Sequence, residues 1–460
     1  MTSNASVTQN RNVALAAAGV ALPVFVFYAL LLRFVLNIPV LDDYDAALSF
    51  LNQLVTQPSA AGKFLLFLST QHNEYKTLFG NGVVWLQFVA LHHVDFRVMS
   101  MLGNVFVLLI GVLLWKMFLP QCKDLATRLS LFIPVSLLLF QLNYVEAVNA
   151  PMAALQYWPA LSFSLTAIYL LVKSTKAGFY AALVLIFLSI FSSTNGFLLI
   201  PIGLLLLGMR RQYVRMALVL ADAVVSFAIY RYHYVVIHSQ TVGQAFHSFL
   251  VETLILKPVY ALCVLGNAVG YPFGLAGAGA LGLAICVFYF VLAKRGFFRR
   301  NPAIGYCAMF LVLTSMGIAS IRLSLGMQFS TSSRYRMYSD LLLVFAWFAV
   351  VEEFLLPKME QQVLVLRRNW IFVTAILLSG IFAIGSDRWG YKFLKSRRTY
   401  WIQGIAAYEH PAFPGSTEGP VLRLPQQNAQ EEALQDQLDQ FCRKALVRSI
   451  QLGIYVPPQY

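Results

Sequence analysis

Long apolar runs separated by short polar segments make up most of the chain. Val13–Leu36 and Val98–Leu119 each reach the roughly 20 apolar residues that a helix needs to cross a membrane. The runs lack the two-residue alternation of a membrane β-barrel, so the pattern predicts an all-α polytopic membrane protein. Further runs follow, several of them short enough to need flanking residues: Leu129–Leu142, Leu155–Val172, Ala177–Phe191, Phe197–Gly208, Val214–Ile237, Leu275–Ala293, Ala303–Ser320, Leu341–Leu356 and Trp370–Gly385.

The composition agrees with a membrane protein, because 59% of the 460 residues are hydrophobic and only 12% are charged. The formal net charge of +14 would also fit a nucleic-acid-binding protein. Here, however, Lys and Arg gather in short loops between the apolar runs, as the positive-inside rule describes. We therefore expect the basic residues to set the membrane topology, and we expect no nucleic-acid partner.

The basic loops predict which segments cross the membrane. All of them can lie in the cytoplasm only if two apolar stretches, Gly62–His92 and Leu254–Gly270, do not cross. The first would lie along the outer surface, and the second would stay outside or form a re-entrant piece. The prediction is then about eleven spans, with the N-terminus inside and the C-terminus outside.

This topology divides the chain into a transmembrane domain, residues 1–386, and a mostly polar outer segment, residues 387–460. Within the domain, residues 39–97 form the first outer loop, with helices that lie along the membrane. The cytoplasmic loops hold little besides Lys and Arg. The chemistry is therefore expected on the outer face, at the boundary between membrane and water.

Two adjacent carboxylates, Asp42 and Asp43, directly follow the first span. A carboxylate at this position could deprotonate an acceptor hydroxyl as a general base, or it could bind a divalent cation. The alternative is a solvated turn with helix-capping aspartates, a role that Asp45 would also fit. Spacing alone does not separate these two interpretations.

A second titratable cluster lies in the same loop, at His72, Glu74, Tyr75 and Lys76. On a helix, the i,i+4 spacing would put His72 and Lys76 on one face, with Tyr75 beside them and Glu74 pointing elsewhere. The cluster could support acid–base chemistry together with the aspartates. The alternative is the polar face of an interfacial helix, which is common in membrane proteins.

Three arginines on a later outer loop run against the positive-inside trend. They are Arg322, Arg334 and Arg336, and Tyr335 lies between the last two. Arg binds phosphate through two parallel hydrogen bonds, and a Tyr hydroxyl can add another. The loop therefore predicts a bound anion at the outer surface.

Three weaker candidates for lining a cleft are Glu146, Asn149 and Asn195. Glu146 and Asn149 lie in an outer loop before Pro151, and Asn195 belongs to a Ser-Thr-Asn-Gly segment that is typical of a tight turn. Tyr157 and Trp158 are interpreted as part of the aromatic belt at the membrane interface.

This arrangement resembles the GT-C class of integral-membrane glycosyltransferases, in which an aspartate-bearing outer loop with interfacial helices follows the first span. Asp42-Asp43 matches the position of the catalytic acidic residues of that class. Gln71-His72-Asn73-Glu74-Tyr75 and Ser333-Arg334-Tyr335 resemble motifs of bacterial members, and Asn195-Gly196 is a looser match. Among these, the chain looks most like the arabinosyltransferases that modify type IV pilin.

The resemblance implies a GT-C-like bundle in a bacterial inner membrane, with its active face in the periplasm. The donor would be a polyprenyl-phosphate-linked sugar such as arabinofuranose, and the acceptor a periplasmic protein such as pilin, or a glycan. The arginines would hold the lipid phosphate, and Asp42 or Asp43 would deprotonate the acceptor hydroxyl. No cofactor is firmly implied, and a divalent cation stays an open alternative.

Other functions compete with protein glycosylation. A polysaccharide polymerase or ligase also uses lipid-linked sugars and outer-loop arginines. A transporter or lipid-linked-sugar flippase would need polar residues through the membrane, whereas these runs are nearly uncharged, with Asp222 and Arg231 as the chief exceptions. A non-catalytic scaffold predicts that the aspartates are replaceable.

Overall fold

The computed structural model describes residues 2–120, 122–236, 251–356, 370–409 and 429–458. Its described part is built from helices, with only isolated bridges between His72 and Tyr75 and between Val94 and Tyr455. The α-helices, α1 to α18 in chain order, are Thr2–Phe34, Phe50–Thr56, Ala60–Ser69, Leu78–Leu91, Phe96–Met117, Leu125–Leu139, Val145–Asn149, Pro151–Lys173, Lys176–Ile190, Leu199–Met209, Tyr213–Arg231, Lys257–Leu265, Gly270–Lys294, Phe297–Arg300, Pro302–Arg322, Arg336–Val350, Trp370–Glu409 and Ala429–Gln451.

The prediction of an all-α polytopic membrane protein is confirmed. Within the described ranges, seven helices are long and apolar enough to cross a membrane: Gln9–Phe34, Phe96–Met117, Pro151–Lys173, Tyr213–Arg231, Asn267–Lys294, Pro302–Leu325 and Trp370–Ile405. Shorter apolar helices, such as α6 and α9, pack among them. The count of eleven spans stays a prediction.

The bundle is held together by close packing around α8. A Cβ on Gly103 of α5 would lie 2.5 Å from the carbonyl carbon of Ala154, so glycine lets these two helices touch. On α8, Trp158 is fully buried and packs edge-on against Tyr144, with ring centroids 4.7 Å apart, so its predicted place in the aromatic belt is wrong. The position of α8 is therefore closely fixed, which matters because it contributes to the candidate site.

The first loop leaves and re-enters the bundle at one end. Asn37, just after α1, accepts a hydrogen bond at 2.9 Å from the backbone N–H of Phe96, the first residue of α5. The helices between them, α2 to α4, are 7, 10 and 14 residues long. Residues 39–95 therefore start and finish at the same end of the bundle, which we call the loop end.

The C-terminal helix α18 also packs at the loop end. Asn52 of α2 donates to the Ala445 carbonyl at 2.9 Å and accepts from the Ser449 hydroxyl at 2.9 Å. Tyr455 is buried, and its hydroxyl donates to the Asn37 carbonyl at 2.7 Å. The described part of the C-terminal segment therefore fastens the first loop to the bundle, a role that the sequence did not indicate.

The boundary predicted between residues 386 and 387 falls inside a continuous helix. The 40-residue helix α17, Trp370–Glu409, runs through it. At 1.5 Å per residue the helix is about 60 Å long, twice the hydrocarbon thickness of a membrane. The residues become more polar from residue 387 onwards, but the helix continues through this change without a break.

The membrane orientation can be tested with reporter fusions. We expect a reporter fused after Arg300 to be cytoplasmic, because four basic residues lie within the segment 294–300. A reporter fused after Pro420, which lies outside the described residues, should be periplasmic. A fusion after Arg211, in another basic loop, is the matched cytoplasmic control. Finding the Pro420 and Arg300 fusions on the same side would contradict the predicted topology.

Candidate active site

A polar cleft of about 110 Å³ lies at the loop end, where the first loop meets α8 and the segment after α15. Most of its lining residues are polar or aromatic. They are Asp42, His72, Asn73, Tyr75, Gln156, Tyr157, Arg322, Leu325, Phe329, Arg334 and Tyr335. The structure thus brings together predicted site residues from the first loop and from residues 322–336, which we call the arginine loop.

The two adjacent aspartates have different environments. Asp42 lines the cleft, and 51% of its side chain is exposed. Asp43 is fully buried and accepts hydrogen bonds from the backbone N–H groups of Val40 at 2.7 Å and Met152 at 2.8 Å. Burial raises the pKa of Asp43 to about 8, although the two hydrogen bonds lower it. Asp43 therefore ties the loop to the start of α8, and Asp42 faces the cleft.

His72 lies between two carboxylates. Its Nδ1 is 2.7 Å from Asp45 Oδ2, and its Nε2 is 3.4 Å from Asp42 Oδ1. Burial alone would lower the pKa of this imidazole, but hydrogen bonds and charge from the two aspartates raise it to about 10. The raised pKa favours the imidazolium form of His72 at neutral pH. Asp45, which was predicted only as a helix cap, contacts the Nδ1 atom of the His72 ring.

The charge of His72 acts in turn on Asp42. Crowding by protein atoms would raise the pKa of this carboxyl, even though half of its side chain is exposed. The hydrogen bond and charge of His72 outweigh that effect, with the charges of Arg334 and Arg322, and the pKa is lowered. Asp42 is thus an ionised carboxylate that can accept a proton or a hydrogen bond.

The charge of His72 predicts a pH-dependent contribution to stability. The pKa of an unfolded histidine is near 6.5, whereas that of folded His72 is about 10. The ionic stabilisation is therefore full below pH 6.5 and is lost as the pH rises through 10. We expect the melting temperature of the wild type to exceed that of His72→Gln most near pH 6, with the difference shrinking towards pH 10. A difference that grows over this range would contradict the assignment.

The helical face predicted for His72 and Lys76 is wrong. Residues 70–77 form a tight loop, because the backbone N–H groups of His72 and Tyr75 donate to each other's carbonyls at 2.8 and 2.9 Å. Lys76 points away from the cleft and is only 1% exposed. Its ammonium group donates to the carbonyls of Leu68, at 2.7 Å, and of Tyr232. A cation at the C-terminal ends of α3 and α11 stabilises both helices.

Glu74 and Tyr75 hold Arg322 on one side of the cleft. The Arg322 Nη2 is 3.1 Å from Glu74 Oε2 and 3.2 Å from the Tyr75 hydroxyl oxygen. These contacts join residues about 250 positions apart in sequence. Glu74 does not line the cleft, so its carboxylate acts through the arginine that does.

Arg334 lies on the cleft with an incomplete set of partners. Its Nε is 3.6 Å from Glu146 Oε2, and this oxygen also accepts a hydrogen bond from Ser332 at 3.0 Å. Burial would raise the pKa of Glu146, but the Arg334 charge and the Ser333 and Ser332 hydroxyls lower it. Within the described ranges the Arg334 guanidinium makes this ion pair and no hydrogen bond. It is therefore available to an anion.

Besides Asp43, Glu74, Lys76 and Glu146, three further predicted site residues do not line the cleft. Arg336 is buried, donates to the Asn143 carbonyl at 3.1 Å, and stacks over Trp389 with 4.6 Å between its guanidinium carbon and the ring centroid. Asn149 is also buried, and Asn195 is half-buried in a 3₁₀ turn. Arg336 therefore stabilises the bundle and is poorly placed to bind a ligand in the cleft.

Two residues of α8 complete the cleft. Tyr157, predicted to belong to the aromatic belt, lines the cleft instead, because that face of α8 turns towards the arginine loop. Gln156, beside it, was not predicted at all. The available signal was a polar amide inside the apolar run Leu155–Val172.

Metal binding has no support from the clustering of ligands. Among the residues that the structure describes, no group of three or more His, Cys, Asp or Glu side chains could hold a metal ion. The carboxylates nearest to Asp42 are engaged otherwise, since Asp45 contacts His72 and Asp43 accepts two backbone hydrogen bonds.

Comparisons of the chain with family models, with curated proteins and with solved structures gave no match.

Proposed function

We propose that this protein is a membrane glycosyltransferase of the GT-C type, which moves a sugar from a polyprenyl-phosphate carrier to an acceptor hydroxyl. One observation carries the proposal. Two arginines, Arg322 and Arg334, and an ionised carboxylate, Asp42, meet in one cleft at the end of an apolar helical bundle. A phosphate and a nucleophilic hydroxyl are the two groups that such a cleft can hold side by side.

The arginines suit the phosphate of a lipid carrier. Arg322 is oriented by Glu74 and Tyr75, and Arg334 keeps guanidinium nitrogens that lack hydrogen-bond partners among the described residues. The positive charge would stabilise the negative charge that develops as the phosphate leaves. Leu325 and Phe329 line the same cleft and are exposed, which suits the apolar chain next to the phosphate.

Asp42 suits the role of general base. It would take the proton of the acceptor hydroxyl as that oxygen attacks the anomeric carbon. The new bond joins the acceptor oxygen to the anomeric carbon, the bond from that carbon to the phosphate oxygen breaks, and its electron pair leaves with the phosphate. His72 and Asp45 would orient the carboxylate and keep it ionised.

The finer assignment follows from the resemblance of the first loop and arginine loop. The sugar would be arabinofuranose and the acceptor a periplasmic protein such as a type IV pilin, or a glycan. The protein would lie in the inner membrane with the cleft facing the periplasm, because the basic loops are expected in the cytoplasm.

The proposal can be tested with the purified full-length protein in detergent. Polyprenyl phosphate carrying labelled arabinofuranose is incubated with pilin, and the release of free polyprenyl phosphate and the label on pilin are measured. We expect both to require the protein. If no polyprenyl phosphate is released from this donor or from donors with other sugars, the proposed function is wrong. Release without labelled pilin would leave the donor class intact and exclude pilin as the acceptor.

A further inference from the structure

We propose that Gln156 is a specificity-determining residue, whose side-chain amide donates a hydrogen bond to a hydroxyl group of the donor sugar. The inference rests on the proposed function and deepens it. Gln156 lines the cleft and is only 9% exposed, yet its Nε2 has no hydrogen-bond partner. An unpaired buried amide donor destabilises the protein unless a ligand supplies the missing acceptor.

Other buried amides show what this helical bundle normally provides. The Asn104 Nδ2 donates to the carbonyls of Ser100 and Val148, each at 2.8 Å. The Gln87 Nε2 donates to the Asp95 carbonyl at 2.9 Å. Asn81 and Asn149 also carry unpaired amide nitrogens, but neither lines the cleft. In Gln156, an unpaired donor coincides with a position where a substrate can be bound.

The backbone around Gln156 is rigidly placed relative to Asp42. Met152 lies one helical turn earlier on the same face of α8, and its N–H donates to the buried Asp43 carboxylate at 2.8 Å. Because Asp42 directly precedes Asp43, this contact ties the backbone at Asp42 to this face of α8. A substrate held by Gln156 is therefore held in a defined position relative to Asp42.

The distribution of charge indicates which part of the donor Gln156 contacts. The cationic groups of the cleft are Arg322, Arg334 and His72. The arginines suit the phosphate, and His72 contacts carboxylates. Gln156 is neutral, and a neutral amide commonly pairs with a neutral hydroxyl. It therefore belongs to the sugar part of the cleft, together with its neighbour Tyr157.

The test combines substitutions at Gln156 with donors that lack single hydroxyl groups. Wild type, Gln156→Leu and Gln156→Glu are each assayed with polyprenyl phosphate carrying arabinofuranose or its 2-, 3- or 5-deoxy analogue. The value of kcat/KM comes from the release of polyprenyl phosphate. Gln87→Leu, which removes a paired buried amide outside the cleft, is the matched control. Thermal melting in detergent checks that each variant is folded.

We expect the wild type to use one deoxy donor about tenfold less well than the complete donor, the loss of a single hydrogen bond. Gln156→Leu should lose the same factor with the complete donor and no more with that deoxy donor, whereas Gln156→Glu can still accept a hydrogen bond from the same hydroxyl and should lose less. Inhibition of the Gln156 variants by sugar-free polyprenyl phosphate should be the same as for the wild type. Gln87→Leu should show the same preference for the complete donor over the deoxy donors as the wild type.

Three results would overturn the inference while leaving the proposed function standing. They are equal losses by Gln156→Leu on all donors, weaker inhibition of this variant by sugar-free polyprenyl phosphate, and wild-type selectivity in this variant. A wild type that releases polyprenyl phosphate from none of the donors would instead overturn the proposed function, and this inference with it.

Discussion

Replacing Asp42 with Asn is expected to lower sugar transfer by a factor of about 10² to 10⁴ while the protein stays folded and inserted. The amide keeps the size of the carboxylate but cannot accept the proton of the acceptor hydroxyl, and a positioned base typically contributes a factor of this size. Asp42 is half exposed in the cleft, and the buried His72 keeps its closer partner Asp45, so the substitution should cost little stability. The measurement is the rate of polyprenyl-phosphate release, with the melting temperature recorded in parallel.

Asp43→Asn is the matched control, since it changes the adjacent carboxylate in the same way. Its main effect should be on stability, because an amide NH₂ group would face one of the two backbone N–H donors, Val40 or Met152. The loss should be about 1–3 kcal/mol of unfolding free energy. Unimpaired transfer by Asp42→Asn would show that Asp42 is not the general base. A large loss of rate in Asp43→Asn at unchanged stability would exchange the roles of the two residues.

Replacing Arg334 with Ala should weaken the use of the donor by about 10- to 100-fold. In the proposed site, this substitution would remove a charge-assisted hydrogen bond to phosphate, worth roughly 1.5–3 kcal/mol. Arg334→Lys should recover part of the loss, because it keeps the charge without the planar fork. The measurement is the transfer rate against the concentration of lipid-linked donor, from which the KM for the donor is obtained.

Two controls separate phosphate binding from structural damage at Arg334. Glu146→Gln removes the 3.6 Å ion pair but leaves the arginine, so donor use should change little. Arg97→Ala removes an exposed arginine at the loop end, away from the cleft, and should leave the KM for the donor unchanged. If Arg334→Ala impairs only the use of the acceptor, the arginine belongs to the acceptor side of the cleft.

The sequence predicted the parts of the site that depend on charge and on hydrophobic runs. Apolar runs identified the helical membrane protein. The first loop drew attention because Asp42 follows a span, and Arg322 and Arg334 because they lie on a loop that breaks the positive-inside trend. The structure brings these residues into one cleft, although the arginine loop lies some 250 positions from the first.

What the sequence could not predict depends on side-chain direction and on distant packing. Asp42 and Asp43 are neighbours of the same type, and only the fold decides that one faces the cleft and the other the start of α8. Lys76 was misplaced because a backbone turn at His72–Tyr75 replaces the expected helix. Gln156 lies within an apolar run, where periodicity carries no information about a ligand.

The most direct test is a structure of the protein in complex with a non-hydrolysable phosphonate analogue of polyprenyl-phosphate arabinofuranose. We expect the phosphonate oxygens to lie within hydrogen-bond distance of Arg334 and Arg322, with the anomeric carbon facing Asp42. A phosphonate group bound elsewhere on the protein, with the cleft between the first loop and α8 left empty, would contradict this expectation.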